Sequence, residues 1–336
     1  MITKIADIAS AFPDHCLTND TLENEYQKWS AEKIYKKTGI RTRRCAIHEL
    51  SSDLAVNATE ALFKKSCILK DDIDFLLLCT QSPDYFLPST SALVQDRVGL
   101  PHDMGALDFN LGCSGFVYGL AFAKGLIEGR CAKNVLLITS ETYTKHINAK
   151  DKSTRTIFGD GAAATLLCAE SSDGFGIGKF VFGTDGKGAK NLIVPAGGMA
   201  LPKSSETAVE TVDDSGNIRS LDNLFMDGPA VFNFTMDRVP QAVEETLKKN
   251  ALLKEEIALY VFHQANRFML ETLRDKLALP EERFYINMEE KGNTVSATIP
   301  IALEDACGEG RLRKGDKVLL AGFGVGYSWA ACVLEW

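Results

Sequence analysis

The sequence contains no apolar stretch approaching the ~18 residues a bilayer-spanning helix needs, so no membrane span is expected. It also has no long basic run. Lysine plus arginine number 37 against 45 aspartate plus glutamate, a net charge of −8, which argues against a partner held by phosphate contacts such as a nucleic acid. The opening Met1-Ile-Thr-Lys-Ile-Ala6 meets polar and acidic residues too soon for a secretory leader, and a soluble, cytoplasmic chain is expected. Nine cysteines are present but never as C-x-x-C. Their odd number and scatter argue against a disulfide framework and against a zinc site, so reduced thiols and no bound metal are expected. With 336 residues, 45% apolar and 24% charged, the composition is that of a globular chain of two domains or one large double domain, not a fibre, coiled coil or disordered segment.

What is present is a duplication. Lys70 to Cys79 aligns with Lys254 to His263, each an acidic lead-in followed by a short apolar run, at an offset of 184 residues. Gly129-Arg130 before Val135-Leu-Leu-Ile138 aligns with Gly310-Arg311 before Val318-Leu-Leu-Ala321, and Phe158-Gly-Asp-Gly161 aligns with Phe323-Gly-Val-Gly326. The three matches keep their order. The halves divide at about 170 (1–170 and 171–336). Alternating short apolar runs and longer helical patterns predict an α/β fold with helices covering largely parallel sheets. Helices are expected over 89–99, 113–128, 237–250, 266–278 and 294–307, and strands over 75–80, 106–111, 134–139, 161–169, 258–263, 284–287, 317–321 and 327–335. Residues 184–223, rich in Gly, Ser, Asp and Thr, read as a long surface excursion that could wall an active site.

Three residues stand where chemistry is placed in such folds. Cys113, in Asn110-Leu-Gly-Cys113-Ser-Gly115, falls where a strand gives way to a helix whose free N–H groups favour a thiolate; the alternative is a packed core thiol. His263, in His263-Gln-Ala-Asn266, closes a buried strand at the counterpart of Cys79; the alternative is a hydrogen-bonded core histidine. Asn293, in Gly292-Asn-Thr-Val-Ser-Ala-Thr-Ile-Pro300, opens the helix that the repeat pairs with the Cys113 helix; the alternative is a helix cap. Pseudo-twofold symmetry between the halves would bring the three together.

These three motifs, with Phe158-Gly-Asp-Gly161 and Gly322-Phe-Gly-Val-Gly-Tyr-Ser-Trp329, resemble β-ketoacyl-acyl-carrier-protein synthase III, of the thiolase-fold condensing enzymes, from the first strand to Trp336. The resemblance implies a duplicated αβ sandwich with α-β-α-β-α layers and a homodimer. It implies that Cys113 carries an acyl group, that the backbone N–H groups of Cys113 and Val325 form an oxyanion hole, and that His263 and Asn293 stabilise the enolate left by decarboxylation of malonyl-acyl-carrier protein. No metal or redox cofactor is required, since coenzyme A or carrier-protein thioesters are substrates. Substrate-binding positions carried over are Leu87, Lys33, Lys152, Asn266, Arg267 and Phe323.

The chain departs from the family pattern at several of these positions. Lys33 stands where a tryptophan stacks on adenine, and Lys152 stands for an arginine. Phe268 takes the place of a carrier-binding arginine, with Arg267 one residue early. Leu87 replaces a phenylalanine that gates the partner subunit's acyl pocket, and Val325 replaces a glycine. These changes suggest a starter other than acetyl-coenzyme A, larger or carrier-bound. A basic patch of Arg267, Arg274 and Lys276 is expected to face the acidic carrier, against the plain alternative of a solvated helix face. Two rival classes remain: a thiol hydrolase, since Cys-His-Asn also serves proteases, and an inactive partner subunit of a heterodimer. A degradative thiolase fits less well, because it places a second cysteine where this chain has Val325.

Overall fold

The computed structural model describes residues 1–26, 29–172 and 174–336. Strands β1 (Ile2–Ala11), β2 (Phe75–Cys79), β3 (Gly105–Phe109), β4 (Asn134–Glu141) and β5 (Gly161–Glu170) form one five-stranded sheet in the order β1-β5-β4-β2-β3. Strands β6 (Ile177–Thr184), β7 (Leu259–Phe262), β8 (Phe284–Tyr285), β9 (Lys317–Gly324) and β10 (Ser328–Glu335) form a second in the order β6-β10-β9-β7-β8. Strand for strand, the orders are the same. The repeat seen in the sequence therefore extends to β1 and β6.

Helices α1 (Ser51–Lys65) and α2 (Thr90–Val98) cover the outer face of the first sheet, and α4 (Gly228–Lys249) and α5 (Arg267–Lys276) that of the second. Between the sheets lie α3 (Gly115–Glu128) and α6 (Thr298–Gly308), giving α-β-α-β-α layers. The middle position explains the sequence of α3: Phe116, Val117, Leu120 and Ala123 have no accessible surface, because the helix meets sheet on both sides. Gly119 lets it approach β4, since a Cβ there would stand 2.5 Å from Leu137. The runs Leu76-Leu-Leu78 and Leu136-Leu-Ile138 are apolar at successive positions because both faces of the sheet are covered.

Two expectations need correction. The sheets are mixed, not largely parallel. β2 pairs parallel with β3 and β4, and β7 with β8 and β9, whereas the β4–β5, β5–β1, β9–β10 and β10–β6 pairs are antiparallel. The β9–β10 link is only residues 325–327, a hairpin turn that permits no parallel crossover. Helix α4 starts at Gly228, nine residues before the expected 237. Asp227 caps it by accepting from Ala230 N at 2.9 Å, and Pro229 sits in the first turn, where its missing N–H costs nothing. The excursion 184–223 is only partly surface, since Leu192 and Ala196 are buried.

Candidate active site

Cys113 lies two residues before α3, and the chain reaches it by crossing under β9. A Cβ on Gly324 would stand 2.8 Å from the Cys113 sulfur, and one on Gly322 would stand 2.7 Å from its carbonyl oxygen. Glycine at both places is what allows the β9–β10 turn to pass over the thiol. From there the backbone N–H of Val325, together with that of Cys113, points at the sulfur. The other half mirrors this. The Asn293 N–H donates to Ile157 O and the Gly159 N–H to Asn293 O, both at 3.0 Å. Each half's Phe-Gly-x-Gly turn thus clasps the helix start of the other half.

Cys113, His263 and Asn293 line one cavity of about 140 Å³, together with Asn266, Phe323 and the apolar side chains of Phe158, Leu192 and Met226. A larger groove of about 640 Å³, lined by Arg267, Arg274, Glu281 and Arg311 among others, holds none of the three. His263 Nδ1 lies 2.8 Å from Thr298 Oγ1, whose hydroxyl also reaches Val295 O at 3.0 Å. Asn293 Oδ1 accepts from Val295 N at 2.9 Å and Nδ2 donates to Ala265 O at 3.4 Å, so the second N–H of the amide is left to serve a ligand. Asn266 caps α5 by accepting from Met269 N at 2.9 Å.

Burial controls the protonation states. It pushes the Cys113 thiol up to about 12, with the Glu141 carboxyl adding to the rise. It pulls the His263 imidazole down to about 3. The thiolate favoured by a helix start is therefore not the resting state, because loss of water outweighs the N–H groups. An acyl thioester, being neutral, escapes that penalty. Thiol and imidazole are both uncharged at neutral pH, and nothing pairs them as an ion pair.

The remaining sequence-derived positions lie elsewhere. Lys152 lines a separate cleft of about 490 Å³ with Trp29, Tyr26, Gly216 and Ile218. Lys33 is not in that cleft wall. Its ammonium sits over the Trp29 ring, 5.3 Å from the centroid, with Lys37 at 4.8 Å. Trp29, four residues before Lys33, is an aromatic side chain of that cleft wall which the sequence left unmarked. Leu87 is 83% exposed and lines no part of its own chain's cavity. Arg267 Nη2 is 3.0 Å from Glu289 and its guanidinium lies over Tyr35, while exposed Phe268 stacks on Phe232. Thr298 and Glu141 are further residues the sequence left unmarked. The first could have been suspected from its place one turn past Asn293.

Comparison with known proteins identifies the family. Residues 107–186 match the family described as 3-oxoacyl-[acyl-carrier-protein] synthase III, and residues 247–336 match its C-terminal part. A β-ketoacyl-[acyl-carrier-protein] synthase III of Caldanaerobacter subterraneus subsp. tengcongensis is 38% identical over 333 residues, covering 99% of this chain and 97% of the relative. The chain belongs to the synthase III family. A crystal structure of a 3-oxoacyl-(acyl-carrier-protein) synthase III superposes with a TM-score of 0.99 at 50% identity, covering all of both chains. The family member from Thermus thermophilus gives 0.87 at 37% identity, covering 99% of each. The layered fold is that of the family's thiolase-fold structures. Among the described residues no helix is long and apolar enough to cross a membrane, and no cluster of His, Cys, Asp or Glu could hold a metal ion.

Proposed function

We propose that this synthase III family member joins an acyl starter to malonyl-acyl-carrier protein by decarboxylative condensation. The observation that carries the reading is one apolar cavity bearing a thiol, an imidazole and a carboxamide, with two backbone N–H groups converging on the sulfur. The Cys113 sulfur attacks the starter thioester. The N–H groups of Cys113 and Val325 take the oxyanion, and the thiol proton leaves with the departing thiol. The malonyl thioester carbonyl then accepts from Asn293 Nδ2 and His263 Nε2. For that role the Thr298 hydroxyl turns its one proton from Val295 O to Nδ1, and Nε2 carries the ring proton. Loss of carbon dioxide leaves an enolate that these donors stabilise, and its carbon attacks acyl-Cys113, giving the 3-oxoacyl product and freeing the sulfur.

A hydrolase would need the imidazole to take the thiol proton. Here His263 is too weak a base, and Thr298 occupies its Nδ1. The starter reaches the cavity as an acyl-coenzyme A or a carrier thioester, with Lys152 and Trp29 offering a cleft for the donor's polar end. Two copies pair along the β3 edge, where Leu107 is exposed, and Leu87 of each serves the other's cavity, favouring starters longer than acetyl. Intact-mass measurement after incubation with a panel of acyl donors tests this together with carbon dioxide release from malonyl-carrier protein. Acyl mass retained on Cys113 and malonate-dependent release support the reading. Release of free acid without use of malonate overturns it, and exclusive acetyl transfer overturns the starter assignment.

A further inference from the structure

Glu141 ends β4 with no accessible surface, and among the described residues no lysine, arginine or histidine forms an ion pair with it. Its carboxyl is held by neutral donors. Oε2 accepts from Gln81 N and from Ser82 Oγ, both at 3.0 Å, and Oε1 accepts from Ser296 Oγ at 2.7 Å. The first two donors belong to the segment leaving β2. The third belongs to the second half, in the short turn Val295–Ala297 between Asn293 and α6. One carboxyl therefore ties the first half to the turn that presents the second half's amide.

That turn is under strain. Val295 has a φ of +54°, the left-handed region that a β-branched residue avoids. Such a conformation persists only where its surroundings hold it. Val295 is also the junction of both donor groups: its N–H fixes the Asn293 amide, and its carbonyl, accepting from Thr298 Oγ1 at 3.0 Å, holds that hydroxyl beside His263 Nδ1. A turn displaced by even an ångström would move the amide and the imidazole support together. Cys113, carried by the first half, would stay where it is.

We infer that Glu141 is a positioning residue for the second half-reaction: through Ser296 it holds the Val295 turn, and so aims Asn293 and His263 at the malonyl thioester. It touches no reacting atom. The inference rests on the condensing reading above, and acylation of Cys113 checks that reading separately.

The test uses the full chain with Glu141→Gln, Ser296→Ala and the double variant. The rate of acyl-Cys113 formation from butanoyl-coenzyme A is read by quenched intact mass, and kcat and KM are read from carbon dioxide release with malonyl-carrier protein. A misplacement of about 1 Å costs roughly 100-fold in rate. Glu141→Gln should therefore lower kcat for release by roughly 10- to 100-fold, with KM within about threefold and acylation not slowed, since loss of the carboxyl also removes its part in raising the Cys113 thiol. Ser296→Ala should show the same split at smaller size, and the double variant should fall no further than Glu141→Gln. Should Glu141→Gln fail to fold, Ser296→Ala decides alone, since it leaves the carboxyl its other donors. Equal loss of both half-reactions, no loss of either, or losses that multiply in the double variant would overturn the inference while leaving the condensing reading intact. A wild-type chain that neither retains an acyl group from any coenzyme A or carrier-protein donor of the panel nor releases carbon dioxide would overturn the reading itself, and this inference with it.

Discussion

In the first half the strand Phe75–Cys79 ends in a thiol that donates to Leu111 O at 3.0 Å and lies tight beneath the start of α3, where a Cβ on Gly115 would stand 2.2 Å from it. In the second half the strand at the same place runs into His263, which faces the cavity. The Phe-Gly-x-Gly turns differ in the same way. Asp160 spends its carboxylate on the N–H groups of Ala46 and Thr144, at 2.7 and 2.9 Å, whereas Val325 has no acceptor to offer and aims its N–H at Cys113. Ten residues separate β2 from α2, and they carry the exposed Tyr85, Phe86 and Leu87; only four separate β7 from α5. On the proposed reading, one frame used twice has been divided between tasks: the first half supplies the nucleophile and an outward-reaching loop, and the second supplies the donors and a short, capped connection.

The sharpest way to break that division is to remove one member from each half. Cys113→Ala should abolish acyl retention by intact mass and lower overall condensation at least ~1,000-fold. Asn293→Ala should leave Cys113 acylation nearly untouched and lower carbon dioxide release by roughly 100- to 1,000-fold, the loss expected of one oxyanion donor. If Asn293→Ala slowed acylation as strongly as decarboxylation, the halves would not divide the work in this way.

The paired turns allow a finer test. Gly324→Ala would set a methyl 2.8 Å from the Cys113 sulfur, and Gly159→Ala would set one 2.5 Å from the Lys291 carbonyl beside Asn293. Each should cost about 1–3 kcal/mol of stability by overpacking. Their kinetic effects should differ: Gly324→Ala slows acylation and alkylation of Cys113 by roughly tenfold or more, while Gly159→Ala lowers kcat for release. Stopped acylation assays and thermal melts of both variants read the two effects.

The repeat, the layers and the three cavity residues were legible in the sequence because each rests on local signals: apolar runs long enough to be strands, glycines at turns, and polar residues at strand ends. What was not legible depends on distant partners. Glu141 reads as an acidic residue closing a strand, and its donors Gln81, Ser82 and Ser296, the last 155 positions away, reveal that it is buried and bonded. The upward shift of the Cys113 thiol is not legible, because the helix start is visible in sequence while the depth of burial is not. Trp29 escaped notice because the ring sits four residues before the position where the family pattern places it.

The two halves also respond oppositely to pH. In the second, His263 titrates at about 3 when folded against 6.5 in a free imidazole, so the unfolded chain binds the extra proton between those values. Stability from this group is full above 6.5 and declines as pH falls towards 3. In the first, burial holds Glu141 at about 8 against 4.5, so the folded chain binds the extra proton, and its contribution is full below 4.5 and declines as pH rises towards 8. Melting temperatures of His263→Gln should therefore flatten on the acid side, and those of Glu141→Gln on the alkaline side, by a few degrees each, at ~2–4 °C per kcal/mol for a domain of this size. Parallel curves for wild type and variants would show that neither group keeps these shifts.

The smallest effect is expected at the surface, where the helix following each active strand differs. Helix α5 carries Arg267, Arg274 and Lys276, but none is an idle cation: Arg267 meets Glu289 at 3.0 Å, Arg274 meets Asp275 at 3.1 Å, and Lys276 Nζ donates to Met236 O at 2.8 Å. A carrier protein approaching this face would have to compete for Arg267 with a carboxylate that Arg41 also holds. Arg267→Glu should raise KM for malonyl-carrier protein about three- to tenfold at low ionic strength, less as salt is added, with acylation by butanoyl-coenzyme A unchanged. Arg267→Gln separates the causes, because it removes the attraction without placing a second carboxylate against Glu289. If KM stays constant in both variants, the carrier contact passes to the exposed Phe268, stacked on Phe232 at 5.6 Å beside the cavity residues Val231 and Met269, and docking there would be apolar and insensitive to salt.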